Sequence, residues 1–206
     1  MTKLISPSNN NLTLGIIPKV KFAEKVVASF GKYNMFVGNV VHLAYEFYVV
    51  HNLQWEIALR HAVYRVAESR YYTNNKTRKL DDQLPPMEII NQVKESVRHN
   101  LKWTIDTIGH LKQSNEIGML TKLENNLYLG GTADILIHND DDTTTVADIK
   151  NYGSPKQADL KSHYKQCLLY SKLAMDNGYK VKDIQIIYPY QEQIVTLPNK
   201  IELLNS

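Results

Sequence analysis

Two aspartates, Asp134 and Asp148, a lysine at Lys150, and a glutamine and tyrosine at Gln166 and Tyr170 fall between Gly131 and Tyr170. Carboxylates held together repel each other unless a proton or cation intervenes. A hard, oxygen-seeking divalent ion such as Mg2+ or Mn2+ meets that need, and it keeps room in its shell for water and phosphate oxygens. Beside such an ion a lysine can orient or deprotonate the attacking water, or neutralise charge developing on phosphorus. The residue types therefore point to metal-assisted hydrolysis of a phosphodiester. An isolated Asp-x-Lys triplet is ordinarily a surface ion pair; the elements around this one decide its meaning.

Side chains two apart in a strand share a face. Val146, Asp148 and Lys150 thus lie together, with Ala147 and Ile149 turned to an apolar layer and the polar pair aimed at a cleft. Residues 127–138 read as a second strand, and Asn139-Asp140-Asp141-Asp142 is a strong turn signal between the two. The hairpin this predicts brings Asp134 to Asp148. Ser154-Pro155-Lys156-Gln157 predicts a helix start with proline in the first helical position, and Gly178 predicts its stop. Leu160, Tyr164, Cys167, Leu168 and Leu173 give that helix an apolar face. Gln166 and Tyr170, four apart, stack one turn from each other, and His163 joins them. Residues 183–190 read as a further strand, so a right-handed strand, helix, strand crossover is expected.

With these residues in place the chain resembles the PD-(D/E)XK nuclease superfamily in its RecB-like exonuclease branch. That branch carries G-x-x-D, D-x-K and Q-x-x-x-Y in order, matched by Gly131 with Asp134, Asp148 with Lys150, and Gln166 with Tyr170. An upstream G-x-x-x-H is matched by Gly38 and His42. The resemblance implies an α/β, restriction-endonuclease-like core, a mixed central sheet flanked by helices, with a helical N-terminal half. It also implies that His42, Asp134, Asp148 and the backbone carbonyl of Ile149 bind Mg2+ or Mn2+, that Lys150 is the catalytic lysine, and that Gln166 and Tyr170 orient the lysine, the metal-bound water or the nucleic-acid backbone. Glu116 takes the place of an acidic residue that some members carry before the hairpin, and Glu46, one turn after His42, is a looser candidate. By the same resemblance to small mitochondrial and phage exonucleases, the expected activity is hydrolysis of DNA ends or single strands in replication, recombination or repair. A structure-selective endonuclease or nickase, and a non-catalytic nucleic-acid-binding or inhibitory module, remain open.

At 206 residues and 43% hydrophobic the chain can bury one substantial core. One domain over 1–206 is expected, with 1–115 mainly helical and 116–206 carrying the catalytic hairpin, the motif helix and the following strand. Helices are predicted over 34–51, 54–72 and 86–111, with a loop at 78–85 and a short strand or arm within 1–33. The net charge of +3 leaves phosphate binding to local patches. Lys156, Lys161 and Lys165 on the motif helix are nucleic-acid-binding candidates, and Arg60, Arg65, Arg70, Lys76, Arg78 and Lys79 form a second basic run; for any one of them alone a solvated helix face is the more usual reading. Tyrosines such as Tyr45, Tyr64, Tyr71 and Tyr72 could stack on bases or pack with the hydroxyl at the rim. The lone Cys167 excludes an internal disulfide and an iron–sulfur cluster, which takes four thiolates. No signal pattern and no run of about 18 apolar residues is present, so no membrane and a cytoplasmic location, in a bacterium or phage-infected host, are expected.

Overall fold

The computed structural model describes residues 3–8, 13–22, 30, 33–69, 85–124, 126–151 and 155–205. Ser154, Arg70, Tyr71, Tyr72, Lys76, Arg78, Lys79 and nearly all of the expected 78–85 loop lie outside the described residues. Three helices come first after two short strands, β1 (Lys3–Ile5) and β2 (Thr13–Leu14): α1 (Asn34–Val49), α2 (Trp55–Ser69) and α3 (Met87–Ile108). Strands β3 (Gln113–Glu124), β4 (Leu127–His138) and β5 (Thr144–Ile149) precede α4 (Gln157–Asp176), and β6 (Val181–Tyr188), β7 (Gln193–Pro198) and β8 (Leu204–Asn205) close the chain.

The six-stranded mixed sheet is built on β4. It runs β1-β4-β5-β6-β7, with β3 paired to β4 along its length. The β4–β5 hairpin is antiparallel with Ile135 opposite Ala147. Asn139 N–H donates to Thr143 O, and Asp142 completes the turn in the left-handed region at φ 61°. A parallel β5–β6 pair spans the α4 crossover, and β7 returns antiparallel to β6. Strands β3 and β7 were not among the expected elements. β3 mixes Asn, Glu, Gly, Thr and Lys with its apolar residues, and β7 lies on the sheet's far edge, so neither shows the apolar run of a central strand.

Both faces of the sheet are covered. Ile135, Ile137, Ala147, Ile149 and Ile187 pack in one core with α1, α2 and α3. Val146, Leu136, Ile184 and Ile186 pack in another with Leu160, Tyr164, Cys167, Leu168 and Leu173 of α4. Each such buried leucine or isoleucine contributes about 1.5–3 kcal/mol of apolar transfer. The polar face of β5 thus meets α4 rather than the open cleft expected, because the apolar stripe of α4 docks over it.

Helix α4 starts later than its sequence suggests. Pro155 precedes it, and Lys156 is the cap, its backbone N–H donating to Asp159 Oδ2 at 2.8 Å. The acidic partner that satisfies the N–H of this cap is Asp159. At the other end Gly178 adopts φ 93°, as a helix stop requires.

Candidate active site

The hairpin register, with Ile135 opposite Ala147, brings Asp134 alongside Asp148, close enough for each carboxyl to act on the other. Lys150 Nζ lies 2.7 Å from Asp148 Oδ2 and donates to Gln166 Oε1 at 3.0 Å. Gln166 Nε2 in turn donates to the Tyr170 hydroxyl at 3.3 Å. From α1, His42 Nδ1 comes within 3.2 Å of Asp134 Oδ2, and the ring is hydrogen-bonded to the Ile149 backbone. Residues from α1, β4, β5 and α4 thus converge, and the register and the two helical four-residue spacings are what bring them there.

Glu116 joins this group through an unusual backbone. Its φ of 51° is a left-handed conformation in the middle of β3, a costly choice for a residue with a side chain. Ala133 packs on the α4 side of the sheet while Ile135, two residues on, packs on the α1 side. In a regular strand they would share a face. The ribbon turns over between them, beside Glu116, in the way bulges re-aim side chains. The result is that ligand atoms of His42, Glu116 and Asp134 all lie within 4.8 Å of one another. A cavity of about 10 Å³ sits among them, lined also by Tyr45, Glu46, Asn115, Ile135 and Ile149. That is room for roughly one water-sized body.

These residues fit a divalent cation. Asp134 Oδ2 and Asp148 Oδ1 are buried and make no hydrogen bond. Buried carboxylate oxygens without donors are costly, and an ion would satisfy them. The donor set of imidazole, carboxylates and a carbonyl suits Mn2+ and, through its oxygens, Mg2+.

The electrostatics follow from crowding. Burial, then the charge of Asp148, raise Asp134 well above the usual carboxylate range. Burial pushes Asp148 up as well, but Lys150, the hydrogen bond from Asp134 and His42 outweigh it and hold Asp148 at about 2. Burial likewise works against the Lys150 ammonium, yet Asp148 and Asp134 together raise it above the ordinary lysine range. Asp148 and Asp134 thus favour the charged form of Lys150, which suits it to holding an anion. Burial lowers His42 against the pull of Asp148, leaving a neutral imidazole with a lone pair for a ligand. Burial raises Tyr170 to about 12, so its hydroxyl keeps its proton. Partial burial, Glu46 and Asp148 raise Glu116.

Two further contacts had weak sequence signals. Cys167, expected as a core residue, is buried and also donates to Asp148 Oδ2 at 3.6 Å. His163 shares a hydrogen bond of 2.9 Å with the Tyr188 hydroxyl of β6. Its place one turn before Gln166 hinted at proximity, but a partner on a distant strand has no local signature. Among the expected nucleic-acid ligands, Lys156 and Lys161 are exposed on α4, and Lys165 is half-buried. Arg60, Tyr64 and Arg65 are exposed on α2 and line a separate groove of about 320 Å³ with Phe47 and His61.

A mixed sheet between helices, with two acids and a lysine on its central hairpin, defines a restriction-endonuclease-like fold of the metal-dependent nuclease class. The sequence profile of the PD-(D/E)XK nuclease superfamily matches residues 28–202, and the chain belongs to that superfamily. No curated protein matches it. Twelve solved chains do. One is the crystal structure of SSO0001, 19% identical with a TM-score of 0.37, covering 78% of this chain. This chain spans 64% of that one. Among the described residues no helix is long and apolar enough to cross a membrane.

Proposed function

We propose that this nuclease is a Mg2+- or Mn2+-dependent DNA exonuclease of the RecB-like branch, in which His42, Asp134, Asp148, the Ile149 carbonyl and Glu116 hold the ion. The observation that carries the reading is the convergence of His42, Glu116 and Asp134 around a cavity of one-ion size, beside the Asp148–Lys150 pair. A bound ion supplies a polarised phosphate and a more acidic water. The residues do the rest. Lys150, held charged by Asp148 and anchored by Gln166, faces the charge that builds on the phosphate oxygens. Tyr170, through Gln166, fixes the lysine's position, so the ammonium needs no reorganisation as the reaction proceeds. His42, neutral and docked on the Ile149 backbone, fixes one side of the ligand set, and burial of the acids excludes bulk water.

The test is a digest of end-labelled single- and double-stranded DNA, with covalently closed circles alongside, in Mg2+, Mn2+ or chelator. Stepwise loss of the labelled end in metal, none in chelator and intact circles are expected. Cleavage of closed circles would replace the exonuclease by an endonuclease, and cleavage in chelator would remove the metal from the reaction.

A further inference from the structure

Some of the described glycines are crowded where a side chain would start and others are not. A Cβ on Gly131 would come within 2.8 Å of Pro7 Cδ and 3.2 Å of Tyr170 Cε1, and one on Gly130 within 2.8 Å of Leu120 Cδ1. A Cβ on Gly109 would press on the Ile105 carbonyl at 2.6 Å. Packing against the Pro7 ring and the Ile105 carbonyl excludes a side chain at Gly131 and Gly109, while at Gly130 the exposed leucine tips would have to move aside. Gly38 and Gly118 differ: among the described residues, a Cβ at either meets nothing within 4 Å, and neither has a left-handed backbone.

Neither glycine is a favourable local choice. Gly38 lies inside α1, where glycine is among the poorest helix formers, and Gly118 lies inside β3, where it forfeits side-chain packing. Both positions lie close along their elements to residues that contribute ligand atoms. Gly38 is one turn before His42, and a helical side chain leans back over the turn that precedes it. Gly118 is two residues from Glu116 and pairs with exposed Thr132, itself two residues before Asp134. At both positions the main chain is bare, and among the described residues no protein atom lies within 4 Å of where a side chain would start.

We infer that Gly38 and Gly118 keep clearance for the substrate strand, whose sugar–phosphate backbone lies against bare main chain as its scissile phosphate reaches the site. This inference rests on the nuclease reading above and names the part of the protein that admits a polymeric substrate. A nucleic-acid backbone is bulky on both sides of its phosphate. A compact diester is not, and needs no such clearance.

That difference supplies the experiment. Gly38→Ala, Gly38→Val and Gly118→Ser are compared with the wild-type chain in thermal unfolding, Mn2+ calorimetry, cleavage of end-labelled DNA, and hydrolysis of bis(p-nitrophenyl) phosphate. Gly38→Ala is expected to raise Tm by about 2–4 °C, since it removes a helix-breaking residue at no steric cost. Its Mn2+ affinity and small-diester hydrolysis should stay within about twofold of wild type, while DNA cleavage falls at least about tenfold, further for Gly38→Val. Gly118→Ser reports independently should Gly38→Val fail to fold. Full DNA cleavage by folded Gly38→Ala and Gly118→Ser overturns the inference, as does equal loss on both substrates. A wild-type chain inert on both substrates with metal overturns instead the nuclease reading beneath it.

Discussion

Asp148 is 1% exposed and is held by Lys150, Asp134 and Cys167 at once, so its removal tests the chemistry more directly than any other change. Removing one partner of a buried pair usually leaves an uncompensated charge. Here Asp134 remains beside Lys150 and can ionise once its repulsive neighbour is gone. Asp148→Ala is therefore expected to stay folded by circular dichroism and to lose at least about 100-fold of its metal-dependent cleavage; persistent cleavage would remove Asp148 from the site. Glu116 offers the opposite trade. Glycine accepts its φ of 51° without strain, so Glu116→Gly should gain about 1 kcal/mol in urea unfolding. The same change should weaken Mn2+ binding about tenfold or more by calorimetry. Unchanged affinity would confine the ligand set to His42, the two aspartates and the carbonyl.

At the scale of elements, the hairpin was legible because its signals are local: alternating apolar residues on 127–138 and 144–149, and an Asn-Asp-Asp-Asp turn. Helix α4 was legible in period and stop, and misread at its start, because Ser-Pro competes with a Lys156–Asp159 cap that only the docked helix reveals. Strand β3 escaped because its left-handed Glu116 breaks the alternation a strand is recognised by. The α4–β6 contact of His163 with Tyr188 carries its own prediction. Burial, with Lys150 adding to it, lowers His163 to about 4. A histidine whose folded pKa lies below its unfolded value of about 6.5 favours the fold above that value, and loses the contribution as pH falls toward 4. The shift corresponds to about 3 kcal/mol. His163→Asn, which keeps a polar partner for Tyr188 and does not titrate, should unfold in urea with a shallower loss of stability between pH 6.5 and 4 than wild type; parallel profiles would show that His163 is not the titrating group.

For the whole molecule, an ion that binds the folded chain stabilises it by mass action, about 2.7 kcal/mol at 100 times its dissociation constant. For a chain of this size that is a rise in Tm of about 5–10 °C, reversed by chelator. The gain should disappear in an Asp134→Asn, Asp148→Asn double variant, and its survival there would place the ion elsewhere. Types and spacing were enough to read Asp134, Asp148–Lys150 and Gln166–Tyr170 as one set because they are written locally, whereas Gly38–His42 joined them through the motif order of the RecB-like branch. Periodicity likewise determined that helices would flank a hairpin. Only the folded chain decided that α4 seals the polar face of β5, that the β3–β4 ribbon turns over at Asp134 to bring in Glu116, and that Cys167 touches Asp148. Those are contacts between residues far apart in sequence, set by how apolar faces dock and by one strained backbone, and neither leaves a mark in composition or spacing.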